Sequence, residues 1–130
     1  MEFLTAEDLV EIAALVLGAP APVRDYGLLD AAAHRPRATL FGQDVYPTVH
    51  DRAAALLESI CRNHALVDGN KRLAWAATAV FYGLNGYDLD QPSTQEAVEL
   101  VVGVASEHPE LAKVAERLAA WARPRGQAGR

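Results

Sequence analysis

The sequence predicts an all-α domain, a bundle of about six helices around a buried central helix. Apolar residues recur at three- and four-residue steps along most of the chain, and residues that can cap a helix precede several of these segments. No two segments show the alternating pattern of a strand hairpin. The 130 residues, of which 51% are hydrophobic and 22% charged, suffice for one core.

The N-terminal half predicts one long helix and one short helix. Thr5, with an acidic residue three positions later, marks the start of the first helix, and Gly18 marks its end. Residues 19–24 contain two prolines and form a connection. A short second helix follows and is stopped by Pro36. The mixed pattern of residues 39–47 leaves open a loop or a short flap near a site.

Further caps mark the remaining helices. Thr48 begins a third helix, and the apolar spacing places His64 on the core-facing side of its last turn. The fourth helix, over residues 71–85, is apolar on nearly every side, so we expect it to be buried all round. Ser93 caps a fifth helix, and Pro109 is expected as the first residue of a sixth. No internal repeat interrupts this order.

Charge and cysteine content limit the classes of protein. Twelve basic and 17 acidic residues give a net charge of −5, which disfavours binding to nucleic acid by overall charge. A single cysteine, Cys61, excludes an internal disulfide and a cysteine zinc site, and its position on an apolar face predicts a core residue. A reducing cytoplasm and no membrane attachment are expected. We assign one domain to residues 1–123 and a flexible tail to residues 124–130.

Polar chemistry is densest in residues 62–72. This segment has a net charge of +2, whereas the rest of the chain has −7, and its charged residues are Arg62, Asp68, Lys71 and Arg72. A helix that begins near Asn70 adds unpaired backbone N–H groups and the positive end of the helix dipole, both of which suit a phosphate. Gly69 allows close approach of the chain to such a ligand.

The same segment contains a metal ligand and a proton acceptor. The carboxylate of Asp68 can bind Mg²⁺, and Lys71 and Arg72 can donate hydrogen bonds to phosphate oxygens. Because imidazole titrates near neutral pH, His64 can accept a proton from an attacking hydroxyl. Each residue alone has an ordinary explanation as a turn, a cap or a solvated charge. Only their joint occurrence favours a functional site.

The segment His64-Ala65-Leu66-Val67-Asp68-Gly69-Asn70-Lys71-Arg72 resembles the signature of Fic-type proteins and, more narrowly, of the death-on-curing (Doc) toxin branch. The resemblance extends over residues 4–122. It implies a Fic-type all-α bundle in which His64 is the general base and Asp68 binds Mg²⁺. The residues that it implies for binding the phosphates of ATP are Arg62, Gly69, Asn70, Lys71 and Arg72.

The resemblance also implies a function, the toxin of a type II toxin–antitoxin system. Most Fic proteins have glycine at the position of Lys71 and transfer AMP. Doc members with lysine there are kinases, which transfer the γ-phosphate of ATP to a threonine of elongation factor Tu and arrest translation. The implied inhibitor is a Phd-like antitoxin of the prevents-host-death type, whose C-terminal segment folds into a groove on the toxin.

Two other functions remain open. A Fic-type AMP transferase follows if the residue at position 71 does not decide which phosphate is transferred. A non-catalytic binding module of the same fold follows if the residues around His64 hold it too loosely for catalysis. Leu66 stands where the signature has an aromatic residue, and Ala65 stands where proline is frequent, so both contribute less packing than the usual residues.

Overall fold

Six α-helices make up most of residues 1–126, the part of the chain that the computed structural model describes. The elements in chain order are α1 (Ala6–Leu17), α2 (Tyr26–His34), β1 (Thr39–Leu40), β2 (Gln43–Asp44), α3 (Val49–Asn63), α4 (Asn70–Leu84), β3 (Tyr87–Leu89), α5 (Thr94–Glu107), α6 (Leu111–Trp121) and β4 (Ala122–Pro124). The predicted all-α class is confirmed. Within the described part of the chain, none of the helices is long and apolar enough to cross a bilayer.

Side-chain caps begin four of the helices. Thr5 and Thr48, both predicted as caps, form capping boxes with the aspartate three residues later. Ser93 accepts the backbone N–H of Glu96 at the start of α5, also as predicted, and Asp25 caps α2 in the same way. Each cap satisfies a helix N–H group that has no partner inside the helix. These helix starts are therefore local properties of the sequence.

The start of α6 differs from the prediction. The sequence places Pro109 at its first position, but the helix begins at Leu111 with Glu110 as the N-cap residue. His108 ends α5 in the left-handed conformation, with φ of 51°. A residue before proline is disfavoured in the right-handed helical region. The chain therefore turns over Pro109 and Glu110 before the helix begins.

The centre of the molecule is formed by α3 and α4. Leu57, Leu73 and Phe81 are each at most 1% exposed, and all four other helices pack against one or both of these central helices. The expectation that α4 is buried all round is wrong, because Val80 and Leu84 are 39% and 48% exposed. Its neighbours α1, α3 and α5 cover only part of its circumference.

The sequence predicts no strand pair, but the structure contains two. β1 and β2 form an antiparallel hairpin in which Thr39 faces Asp44. β3 pairs with β4, with Tyr87 opposite Pro124. Each strand is only two or three residues long, too short for an alternating pattern to be recognised. Pairing of such short strands is decided by the helices that bring them together.

Two arginines brace the β1–β2 hairpin. Arg52, only 8% exposed, forms an ion pair with Asp44 at 2.9 Å and donates to the Tyr46 carbonyl at 2.6 Å. Arg35 donates to the Tyr46 hydroxyl at 2.9 Å. Phe41, at the tip, is 95% exposed. The sequence leaves open whether residues 39–47 form a loop or a short flap. The structure shows a short β-hairpin with an apolar tip.

The C-terminal segment begins with a short strand that pairs with β3. β4 includes Pro124, one residue beyond the predicted domain boundary. Arg125 donates its backbone N–H to the Gly86 carbonyl at 2.7 Å, and its guanidinium pairs with Asp88. Pro124 and Arg125 are thus held against β3, in contrast to the free tail that the sequence predicts from residue 124. Residues 127–130 of that predicted tail lie outside the described residues.

Candidate active site

The chain reverses its direction at His64, directly after α3. This residue has φ of 53° and ψ of 44°, a left-handed conformation that costs a non-glycine residue about 1–2 kcal/mol. The side chain leaves the apolar face of the helix and is exposed, so the expectation of a core-facing His64 is wrong. Within residues 1–126, only its backbone carbonyl is hydrogen-bonded. The imidazole is therefore free to exchange a proton with a ligand.

Backbone pairing holds residues 64–69, here called the motif loop, against the loop that precedes α2. Val23 and Leu66 form an isolated antiparallel bridge. The backbone N–H groups of Arg24 and the next residue both donate to the Ala65 carbonyl, at 2.8 and 3.0 Å. Because these contacts use backbone atoms of two distant loops, no local side-chain pattern predicts them.

Leu66 is anchored within the motif loop. Its side chain is only 2% exposed, so the aliphatic residue fills an apolar space as an aromatic ring would. Its backbone N–H donates to Asn70 Oδ1 at 3.0 Å, and its carbonyl accepts from Asn70 Nδ2 at 3.1 Å. The side-chain amide of Asn70 is therefore used to hold the backbone of Leu66. The backbone N–H of Asn70 is the group that remains available for an anion. This anchoring argues against a loosely held loop.

Helix α4 begins without a side-chain cap. The backbone N–H groups of its first three residues, Asn70, Lys71 and Arg72, have no acceptor among residues 1–126. Three free donors at the positive end of a helix dipole can bind a phosphate or a carboxylate. The structure thus leaves free the backbone donors that the predicted anion site requires.

Gly69 is glycine for a reason other than ligand approach. Its φ is +85°, and a Cβ atom at this position would lie 2.6 Å from the side chain of Leu17 in α1. Its N–H donates to Asp68 Oδ1 at 2.9 Å. The Cα of Gly69 thus packs against Leu17, and its N–H is already hydrogen-bonded. The N–H groups of the three residues that follow are not hydrogen-bonded within residues 1–126.

Three exposed cations flank the motif loop in the sequence. Arg62 lies in the last turn of α3, Lys71 and Arg72 lie in the first turn of α4, and all three are exposed. None forms an ion pair with a carboxylate of the described chain. Lys71 and Arg72 stand at the N-terminus of a helix, where the dipole repels cations, so their position is favourable only with an anion beside them. Several phosphate oxygens fit this requirement.

Asp68 is the one carboxylate of the motif loop. It is exposed, and its Oδ1 accepts the Gly69 N–H while its second oxygen is available. No group of three or more potential metal ligands occurs in residues 1–126. Mg²⁺ is commonly held by one or two carboxylates together with substrate phosphates and water. A single carboxylate beside a phosphate site therefore fits Mg²⁺ that arrives with a nucleotide.

An apolar groove of about 450 Å³ adjoins the first turn of α4. Its walls come from the three helices α1, α4 and α5, and the lining residues include Val16, Lys71, Arg72, Trp75, Ala76, Val98, Val101 and Val102. Lys71 and Arg72 therefore border both this groove and the anion site. Trp75 is only half-buried, whereas the sequence places it in the core.

Two residues near the motif loop have structural roles. Cys61 is 2% exposed, which confirms a core residue, and burial raises the pKa of its thiol to about 12, which disfavours the thiolate that a nucleophile needs. Arg24 is a residue that sequence reasoning misses. Its Nε donates to the His64 carbonyl at 3.1 Å, and its Nη2 donates to the same oxygen. Residues 19–24 carry no motif, so only the folded chain brings Arg24 to the site.

The fold and the site together define a class, an all-α protein in which one short loop joins an exposed histidine to a helix start with free backbone donors. Such an arrangement suits the transfer of a phosphorus-containing group. The model of the Fic/DOC family matches residues 3–82 of the chain. The chain belongs to this family, and the resemblance inferred from the motif is confirmed.

A relative with a curated name supports the same assignment over nearly the whole chain. A protein of Mycolicibacterium smegmatis named Toxin Doc is 48% identical over 122 residues, which cover 93% of this chain and 94% of the relative. Membership in the Fic/DOC family supports a transferase that modifies proteins.

Proposed function

We propose that the protein is the toxin of a type II toxin–antitoxin system and acts in the cytoplasm as a protein kinase. It transfers the γ-phosphate of ATP to a serine or threonine hydroxyl of a translation factor, elongation factor Tu by resemblance, and so arrests translation. One observation carries this proposal: a single short loop separates exposed His64 from the uncapped start of α4 with its unpaired cations. The name of the similar mycobacterial protein supports the toxin role.

The reaction follows from the chemistry of these residues. His64 accepts the proton of the target hydroxyl as the hydroxyl oxygen attacks the γ-phosphorus and a new P–O bond forms. The bond from the γ-phosphorus to the bridging oxygen breaks, and ADP leaves with that electron pair. The N–H groups at the start of α4, with Arg62, Lys71 and Arg72, hold the phosphate oxygens. Mg²⁺ at Asp68 would neutralise phosphate charge.

Lys71 supports transfer of phosphate over transfer of AMP. Its side chain fills space and adds a cation in the first turn of α4, where a glycine would leave the helix start open. The α-phosphate is then displaced from the position next to His64, whereas the terminal phosphate can occupy it. This reasoning makes the residue at position 71 a determinant of which phosphorus atom is attacked.

The test is incubation of the purified chain with Mg²⁺, elongation factor Tu, and ATP labelled with ³²P at the γ or the α position. We expect γ label on the target, no α label, and loss of label with His64→Ala. The Lys71→Gly variant tests the choice of phosphate. Label from the α position in the wild-type protein would indicate an AMP transferase. Absence of both labels would favour the binding module or a different target.

The apolar groove supports an antitoxin as the partner. Its walls expose Val98 and Val102 at 53% and 44%, and two cations stand at one end. An amphipathic segment with acidic residues complements such a surface in both hydrophobicity and charge. We therefore place the C-terminal segment of a Phd-like antitoxin in this groove, where it would cover Lys71 and Arg72 and block the phosphate site.

Two matched substitutions test the groove. Val98→Glu introduces a charge within it, and Val80→Glu introduces the same charge on the exposed face of α4, outside the lining residues. In co-expression with the antitoxin, Val98→Glu should still arrest growth because neutralisation is lost, whereas Val80→Glu should be neutralised like the wild type. Equal neutralisation of both variants would contradict the placement.

A further inference from the structure

The loop that precedes α2 directs one charged side chain at the backbone of His64. Arg24 Nε and Nη2 both donate to the His64 carbonyl oxygen, with Nε at 3.1 Å. Arg24 forms no ion pair with a carboxylate among residues 1–126. Guanidinium groups usually engage carboxylates or phosphates through two donors. Here both donors are used on one neutral carbonyl, that of the residue proposed as the base.

The location of this carbonyl explains why a cation is favourable there. The last carbonyl groups of a helix lack partners inside the helix and form the negative end of its dipole. Arg24 supplies both hydrogen bonds and positive charge at the C-terminal end of α3. Its backbone N–H also donates to the next carbonyl, that of Ala65, at 2.8 Å. Two consecutive carbonyl groups of the motif loop are therefore fixed by one residue.

A second helix shows that a left-handed histidine does not require such a contact. α5 also ends in a histidine of this conformation, His108, with φ of 51° and ψ of 54°. Within the described chain, no side chain or backbone group donates to its carbonyl. The contact from Arg24 is thus specific to His64 and is not part of this type of helix end.

We propose that Arg24 is a positioning residue that sets the direction of the His64 side chain. With the peptide groups on either side of His64 and Ala65 fixed, the imidazole points out of the loop in one direction toward a ligand at the start of α4. The inference rests on the proposed function, in which His64 is the general base. Because Arg24 contacts none of the proposed phosphate ligands on α4, its loss affects the chemical step and leaves ATP binding intact.

The kinetic test compares Arg24→Ala, Arg24→Lys and the neighbouring Asp25→Ala. Asp25 caps α2, so its substitution destabilises the same loop without removing the contact to His64. We expect Arg24→Ala to lower kcat for γ-phosphate transfer by roughly ten- to a hundred-fold. We expect the KM for ATP to stay within about two-fold of the wild-type value. Arg24→Lys should recover part of the rate, since an ammonium group can also donate to the carbonyl.

Two kinetic results would overturn the proposal. One is an Arg24→Ala variant with wild-type kcat, and the other is an Asp25→Ala variant that loses as much kcat as Arg24→Ala. The second result would mean that any weakening of this loop lowers the rate. Melting temperatures of the three variants show whether the losses follow stability instead of the Arg24 contact.

A spectroscopic measurement separates this proposal from the proposed function. The three-bond coupling between the α and β protons of His64, measured by NMR in the full chain, reports its side-chain χ1 angle. We expect the coupling to change in Arg24→Ala and not in Asp25→Ala. If the wild-type protein transfers no phosphate, or if His64→Ala stays active, the proposed function fails. The NMR coupling alone then decides whether Arg24 positions the His64 side chain. An unchanged coupling in Arg24→Ala overturns the positioning role.

Discussion

Two helices of this protein end alike, yet only one end carries a candidate active site. His64 after α3 and His108 after α5 have nearly the same left-handed backbone angles, and both side chains are exposed. After His64 the chain pairs with a second loop and enters an uncapped helix with two cations in its first turn. After His108 it passes through Pro109 to Glu110, whose negative charge at the start of α6 repels an anion. The neighbours of a histidine therefore define the site, and its backbone conformation does not.

The largest expected difference between the two helix ends is in catalysis. His64→Ala removes the proposed general base and should lower the rate of γ-phosphate transfer by about 10²- to 10⁴-fold. His108→Ala removes another exposed imidazole and should leave the rate unchanged. Initial rates with labelled ATP and elongation factor Tu provide the measurement. Similar rates in both variants would remove His64 from the mechanism.

A second prediction concerns the stability of the motif loop, where Gly69 packs against Leu17. Gly69→Ala should lower the free energy of unfolding by about 2–3 kcal/mol, from left-handed strain and from displacement of the leucine. Gly86→Ala is the matched control, because Gly86 has φ of +87° with no atom within 4 Å of the added Cβ. The control should lose only about 1 kcal/mol in urea unfolding. Equal losses would show that Leu17 adapts without cost.

A smaller effect is expected when glycine replaces either left-handed histidine. His64→Gly and His108→Gly relieve backbone strain, and this gain exceeds the loss that comes from the greater entropy of the unfolded chain, so each should raise the free energy of unfolding by about 0.5 kcal/mol. Only His64→Gly should lose phosphate transfer, as expected where a strained residue is kept for function. Chemical denaturation of both variants is the measurement. A loss of stability confined to His64→Gly would indicate that its imidazole contributes to folding.

The smallest effect concerns a third histidine, which is partly buried. His50 Nδ1 is hydrogen-bonded to the Tyr82 hydroxyl at 2.9 Å, and burial lowers the pKa of this imidazole from its ordinary value of 6.5. The folded state thus favours neutral His50, so its contribution to stability is complete above about pH 6.5 and is lost as the pH falls further.

Replacement of His50 by glutamine tests this pH dependence. We expect the loss of stability between pH 7.5 and pH 5.5 to be smaller in His50→Gln than in the wild type. Melting curves of both proteins at the two pH values are the measurement. An identical loss in both proteins would assign the pH dependence to other groups.

The features that could be predicted from the sequence are those set by residues close together in the chain. The capping residues Thr5, Thr48 and Ser93 act within one helical turn, so those helix starts are confirmed. The motif is predictable for the same reason, since nine consecutive residues carry the proposed base, metal ligand and anion site. The contact from Arg24 to His64 spans 40 residues and depends on the pairing of two loops. Exposure of His64 is also missed, because apolar spacing does not reveal where a helix ends in a left-handed residue.

The contact between Leu17 and Gly69 has a consequence for how this chain can change. A side chain at position 69 would occupy the space that Leu17 already fills, so the two positions share one volume. A smaller residue at position 17 would make room for a Cβ at position 69, and the combined change should cost less than the two single changes added together. Substitutions at these two positions are therefore expected to be accepted as a pair, although 51 residues separate them in the chain.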